Sequence, residues 1–287
     1  MEGAARRKTT TATQDAGLLA RAEQENFTVA PRLLPRRWRE DLTALYGFAR
    51  LVDWAGDEAP GDREALLRAL SAELDRLLTT GTAESALVRR LGPTIARHGL
   101  PRQPFDDLIS ANLVDQRVTR YATFDELLDY CALSANPVGR LVLGVFDAAT
   151  PQRCAASDRV CTALQLAEHW QDVAEDAHAG RVYLPQEDLD RFGVHEAELI
   201  RNPASPALRR LLAFEVARAR QLLDAGPALV RSLSGAARIA VAGYVAGGCA
   251  ALDAIERAGF DITAGAPVAS RLRRGRYSVA LLAGQRP

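Results

Sequence analysis

Three carboxylates recur four residues apart in Gln165-Leu-Ala-Glu168-His-Trp-Gln-Asp172-Val-Ala-Glu-Asp176. On a helix this spacing stacks Glu168, Asp172 and Asp176 on one stripe, with Gln165 about one turn earlier. Like charges so placed repel by roughly 0.2–0.5 kcal/mol per pair on an exposed helix, and by more in a cleft of lower dielectric. A cation is the simplest compensation. The following Gly180-Arg181 ends the helix and adds a fixed positive charge, and Pro185 closes the connection. A second stretch, Tyr46-Gly-Phe-Ala-Arg50-Leu-Val-Asp53-Trp-Ala-Gly-Asp57, puts Tyr46, Arg50, Asp53 and Asp57 on one helical face as well. Hard divalent cations such as Mg²⁺ take carboxylate oxygens and water, and bridge to substrate phosphate. One acidic pair alone is an ordinary solvated helix face. Two pairs, with an Arg and a Tyr on the same face, read as a Mg²⁺-assisted diphosphate site.

The elements that must position these residues are helices. Apolar residues recur at i, i+3, i+4 over Trp38–Ala55, Arg63–Leu78, Ser85–Arg97, Phe105–Val114, Phe124–Phe146, Ser157–Ala174, Pro206–Val230 and Ala236–Ala258. Alternating, β-branched runs are missing, so the pattern predicts an all-α, single-domain fold over residues 23–287, with residues 1–22 as a flexible tail. Thr123 and Glu126 have capping-box spacing ahead of Phe124. Asn136-Pro137 falls inside an apolar helical run, where proline kinks or breaks the helix. Residues 180–206, rich in proline and charge, form the longest predicted irregular stretch and a candidate lid.

Composition limits the function classes. The 287 residues are 48% hydrophobic and 25% charged with zero formal net charge, which suits a soluble globular chain and argues against nucleic-acid binding. Cys131, Cys154, Cys161 and Cys249 make no C-x-x-C pair and read as reduced thiols in a cytoplasm, and His98, His169, His178 and His195 make no H-E-x-x-H. The longest uncharged run, Ile239 to Leu252, is shorter than the ~20 residues of a transmembrane helix. The polar segment from Met1 to Asp15 lacks the apolar core of a secretory signal.

With these residues in view, the chain resembles the squalene and phytoene synthase family of head-to-head trans-isoprenyl diphosphate synthases. The resemblance spans about Glu25 to Asp261. It is carried by Tyr46-x-x-x-Arg50-x-x-Asp53-x-x-x-Asp57, by Gln165…Asp172-x-x-x-Asp176 with Gly180-Arg181-x-Tyr183-x-Pro185, and by Tyr130-Cys…Val138-Gly139. Glu25-Asn26-Phe27, Ser134-Ala-Asn-Pro-Val-Gly-Arg140, Trp170-Gln-Asp-Val173 and Val245-Ala-Gly-Gly248 are similar to the bacterial hopanoid-pathway branch of squalene and hydroxysqualene synthases.

That resemblance implies an isoprenoid synthase bundle with a central cavity. It makes Asp53, Asp57, Asp172 and Asp176 ligands of Mg²⁺ and assigns Tyr46 and Arg50 to the catalytic face. Asn26, Phe27, Asn136, Gln165, Glu168, Arg181 and Tyr183 are then substrate-binding candidates, with Phe27, Tyr46, Phe48 and Trp170 available to wall a carbocation. The implied reaction turns presqualene diphosphate into hydroxysqualene by water quench, with Asn136 placing the water. No nicotinamide cofactor is needed, and no G-x-G-x-x-G follows a strand. Three positions depart from relatives. Trp54 follows Asp53 where a second Asp is common, Glu168 stands where Asn is usual, and Gly248 aligns with a Tyr of other branches while Tyr244 lies one turn away.

Rival expectations are condensation of two farnesyl or other prenyl diphosphates to presqualene diphosphate, squalene or phytoene, and a non-catalytic assembly factor. A di-iron carboxylate bundle would need two Glu-x-x-His motifs, whereas only Glu175…His178 fits. Prenyl products partition into lipid, so peripheral contact at the inner membrane face and association with pathway partner enzymes fit such a protein, although no amphipathic anchor stands out.

Overall fold

The computed structural model describes residues 34–263 and 265–286. Asn26 and Phe27 lie outside the described residues. Helices account for the regular structure, and the sole strand-like pairing among the described residues is an isolated parallel bridge between Arg120 and Val182.

The described chain groups into two compact units. The first takes the described residues through Arg117 together with Arg140–Ala149. It contains α1 (Arg36–Asp57), α2 (Arg63–Thr80), α3 (Ala86–His98) and α4 (Gln103–Asp115). Side-chain caps start two of these helices, with Asp62 accepting from Ala65 N at 2.9 Å and Ser85 from Val88 N at 3.4 Å. Gly81 and Gly99 end them in the left-handed region at φ 73° and 58°. α1 packs against α2, α3 and α4, with Phe48 fully buried edge-on to Phe105 at 5.3 Å between centroids. A buried carboxylate fixes α1 to α3: Asp41, 2% exposed, accepts from Thr94 (2.8 Å) and Arg97 (2.6 Å) and lies 3.0 Å from His98 Nε2. Those three partners hold its pKa below the usual carboxylate range although burial alone pushes it up.

The second unit takes Val118–Gly139 and the described residues from Thr150 onward. Its helices are α5 (Phe124–Ser134), α7 (Pro151–Gln171), α8 (Val173–His178), α9 (Gln186–Phe192), α10 (Pro206–Leu223), α11 (Gly226–Ser232), α12 (Gly235–Arg257) and α13 (Arg271–Leu282). The intervening α6 (Asn136–Val145) starts in this unit and continues in the other. α7 packs on α5, α10, α11 and α12, and α12 carries α13 on its flank. Gly248 lets α12 approach α7, since a Cβ there would stand 2.5 Å from Leu164 Cδ2. By length and composition α12 could cross a membrane, but 72% of its apolar window is buried and it is the core helix of this unit.

Several predicted boundaries change. The run Phe124–Phe146 breaks at Ala135, because Pro137 cannot donate the helical bond. Pro206–Val230 likewise divides at Asp224-Ala225, just ahead of Gly226-Pro227. The stretch predicted as irregular holds α9 and a 3₁₀ turn, Glu196–Glu198. α13 has no counterpart among the predicted helices. The Thr123 cap is present: its hydroxyl accepts from Glu126 N at 3.2 Å, while the Glu126 carboxylate reaches back to Ala122 N at 2.7 Å.

Candidate active site

In the first unit, α1 presents Tyr46, Arg50 and Asp53 half-buried and Asp57 exposed, along one face as the spacing predicts. Arg50 Nη1 lies 3.4 Å from Asp53 Oδ2, and its Nη2 3.9 Å from Glu58. Its Nε–H is buried and meets no acceptor among the described residues. Such a donor is costly unless an acceptor takes it, and an anionic oxygen makes the strongest bond to a guanidinium. Two residues not singled out in the sequence brace the motif from α4. Asn112 donates to Asp53 Oδ1 at 3.4 Å and to Leu108 O at 3.2 Å, and Gln116 donates to the carbonyls of Gly56 and Asn112, both at 3.0 Å. The approach depends on Gly56, where a Cβ would stand 2.2 Å from Asn112 Oδ1. The available signal was a pair of amides at i, i+4 on an otherwise apolar helix face.

In the second unit the acidic stripe starts on α7 and crosses a break at Asp172 (φ −103°, ψ 10°) into α8. The backbone ladder survives the break, with Asp172 N bonded to Glu168 O at 3.0 Å and Asp176 N to Asp172 O at 2.8 Å. Gln165, Glu168, Asp172 and Asp176 therefore stay in register. The end is a Schellman closure: Gly180 (φ 85°) donates to Ala177 O and Arg181 to Asp176 O. Burial first, then the neighbouring Glu175, pushes Asp172 up to about 6. A half-buried carboxylate carrying that cost is stabilised by a cation.

Residues 182–187 then run beside 119–122, held by Val182 N to Thr119 O (2.9 Å) and Gln186 N to Tyr121 O (2.9 Å). This pairing sets Tyr183 face to face with His169, with centroids 3.7 Å apart and planes within 13°. Tyr121 and Tyr130 lie about the same stack, each 5.9 Å from Tyr183. Gln165 Nε2 is 3.3 Å from His169 Nε2. Burial, reinforced by the positive Arg181, lowers His169 to about 3, so the ring is neutral at physiological pH. Sequence reasoning passed over His169, because its lack of a metal-ligand spacing says nothing about stacking.

Three other candidates lie in the packed interior of their units. Asn136 is buried, and its Oδ1 accepts the Thr162 hydroxyl at 3.0 Å. This bond braces α6 on α7 and leaves the oxygen's second lone pair and the amide N–H groups for other partners. Phe48 and Trp170 are fully buried core side chains and wall no open surface of their units.

Among the described residues, no three His, Cys, Asp or Glu side chains converge into a metal cage. Asp53 with Asp57, and Asp172 with Asp176, each offer the one or two carboxylates that Mg²⁺ takes beside water and substrate phosphate. The Arg50 donor in the first unit suits a phosphate oxygen, and the Asp172 charge in the second suits a cation.

Residues 20–278 match the family described as squalene/phytoene synthase. A hydroxysqualene synthase of Rhodopseudomonas palustris is 34% identical over 210 residues, 73% of this chain and 71% of that protein. A 15-cis-phytoene synthase of Synechococcus elongatus is 32% identical over 255 residues, 83% of this chain and 82% of that protein. Among solved structures, squalene synthase HpnC from Alicyclobacillus acidocaldarius superposes with a TM-score of 0.78 at 40% identity, covering 88% of this chain and 97% of that one. A dehydrosqualene synthase with bound ligand has a TM-score of 0.83 at 22% identity over 96% of this chain and 97% of that one, a likeness of fold alone.

Proposed function

Because this chain belongs to the squalene/phytoene synthase family, we propose that it converts presqualene diphosphate into hydroxysqualene, releasing diphosphate and quenching the carbocation with water. The observation that carries the reading is that both Asp-x-x-x-Asp pairs are kept on single helical stripes, one beside a buried Arg50 Nε–H that meets no acceptor among the described residues. The choice among the family's reactions follows the likeness to the hydroxysqualene synthases and to HpnC.

Asp53, Asp57, Asp172 and Asp176 would hold Mg²⁺, which when bound neutralises charge on the leaving diphosphate. Arg50 donates its Nε–H to a diphosphate oxygen, and Arg181 adds fixed positive charge. Asn112 keeps Asp53 oriented while this happens. The carbon–oxygen bond breaks with its electron pair leaving on diphosphate, the carbon skeleton rearranges, and water adds and loses a proton to give the alcohol. The cation ends on oxygen, so no hydride donor is required. Neutral His169 places no positive charge against the forming carbocation, and its stack with Tyr183 offers π-density beside the second motif. A cytoplasmic location goes with this reading.

The test is incubation of the purified protein with Mg²⁺ and presqualene diphosphate, without reductant, and mass analysis of the extracted lipid. A triterpene alcohol, lost by at least about 100-fold in Asp53→Asn or Asp172→Asn, supports the proposal. Likeness to 15-cis-phytoene synthase favours a second reading, head-to-head condensation of two prenyl diphosphates. No alcohol from presqualene diphosphate, together with condensation of farnesyl diphosphate, would replace the first reading by the second.

A further inference from the structure

We propose that α13 docks this protein on an anionic lipid bilayer through its outward face. Seven large apolar side chains are exposed among the described residues, and four of them fall in one short stretch: Val268 (88%), Leu272 (83%), Val279 (68%) and Leu282 (37%). On α13, Leu272 and Val279 are two turns apart and share a stripe with exposed Arg276, flanked by exposed Arg271. From Ile262 to Pro287 the sequence carries five arginines and no acidic residue, in a chain whose net charge is zero. Positive charge is thus concentrated where apolar surface is exposed.

The inward face of the helix is fixed, so the outward face is a defined surface. Tyr277 donates to Asp253 on α12, Arg273 reaches the same carboxylate at 3.1 Å, and Leu281 is 1% exposed. Arg238 on α12 donates to Leu282 O at 2.8 Å. Residues 273, 277 and 281 therefore face the unit while 272, 276 and 279 face away.

The charge selects the occupant. In a two-fold dimer each copy presents the same patch to its mate, which would set the arginines against arginines. An anionic headgroup layer complements them, and the apolar side chains between them reach the acyl boundary. The inference stands on surface chemistry and does not depend on which prenyl diphosphate reacts.

The experiment is co-sedimentation of the full chain with vesicles of phosphatidylcholine alone and of phosphatidylcholine with about one third phosphatidylglycerol. Wild-type protein should pellet with the anionic vesicles and not with the neutral ones, and be released as salt rises from about 50 mM to about 0.3 M. Arg271→Gln with Arg276→Gln should weaken binding by about 25-fold, at about fivefold per arginine. Leu272→Ser with Val279→Ser should abolish it while leaving the circular dichroism spectrum unchanged, because both side chains project from the surface. Should the serine pair fail to fold, the arginine pair decides alone. Wild-type protein that stays in the supernatant, or an arginine pair that binds like wild type, overturns the proposal. So does light scattering that shows a dimer without vesicle binding, which the serine pair turns into a monomer: the face would then be an interface between copies of this chain.

Discussion

Glu215→Gln should make the protein more resistant to rising pH. Glu215 on α10 has no exposed surface, and its Oε1 lies 3.3 Å from Arg218, which is 2.6 Å from Asp188. Its Oε2 is buried, and a hydrogen bond to Asp188 favours the protonated carboxyl. Burial is the largest influence and raises its pKa from 4.5 to about 8; Arg218 opposes the rise, and Asp188 adds to it. The folded protein therefore keeps a proton that the unfolded chain releases above 4.5. Fewer protons on the unfolded state mean that stability falls as pH rises, and the contribution is complete only below the unfolded value. At about 1.4 kcal/mol per pH unit, the group removes roughly 3 kcal/mol between the unfolded pKa and neutrality. Gln keeps the shape of the protonated acid and cannot ionise. Urea unfolding followed by circular dichroism should give nearly equal stabilities near pH 5, and a variant more stable by about 2–3 kcal/mol near pH 7.5. With a urea slope of ~2–3 kcal/mol/M, that is a midpoint shift of about 1 M. A difference between the two proteins that stays constant across this range, or widens toward acid, would refute the reasoning.

Gly56→Ala should lower both stability and turnover. Overpacking against Asn112 costs about 1–3 kcal/mol, helix propensity returns about 1 kcal/mol, and the Asn112 bond to Asp53 is lost; full activity with raised stability would contradict the brace. Glu168→Asn, which installs the residue that the family resemblance led us to expect there, should raise the Mg²⁺ concentration for half-maximal activity by about fivefold through loss of one negative charge. An unchanged Mg²⁺ titration would remove Glu168 from the metal's surroundings. Asn136→Ala should cost about 1–3 kcal/mol by stranding the Thr162 hydroxyl, with the alcohol fraction of the product unaltered. If the product shifts away from alcohol while stability holds, Asn136 acts on the water after all.

The parts of this fold set by local periodicity were legible in the sequence. Tyr46, Arg50, Asp53 and Asp57 share a face because α1 runs unbroken from Arg36 to Asp57, and the 3.6-residue period determines the rest. The second stripe was equally readable, although its break at Asp172 was not, since no proline or glycine marks it. α13 escaped because arginines occupy much of it and only Leu281 is buried, so no apolar stripe of normal width exists. α9 escaped because a seven-residue helix shows too few turns for a period. The roles of Asn112, Gln116 and the His169–Tyr183 stack went unassigned for a different reason. Their partners lie far along the chain, and only the packing of α4 on α1, or of 182–187 beside 119–122, brings them together.

The Asn112 amide sits in a notch cut by one missing methyl group on α1. A notch of that size works as a vernier. Sliding α1 along α4 by one turn would present Val52 or Asp53 to the amide and close it, so the two helices have a single axial setting. The azimuth of Asp53 is thereby fixed before any ligand arrives, and the first motif enters the reaction as a calibrated edge whose alignment owes nothing to the substrate.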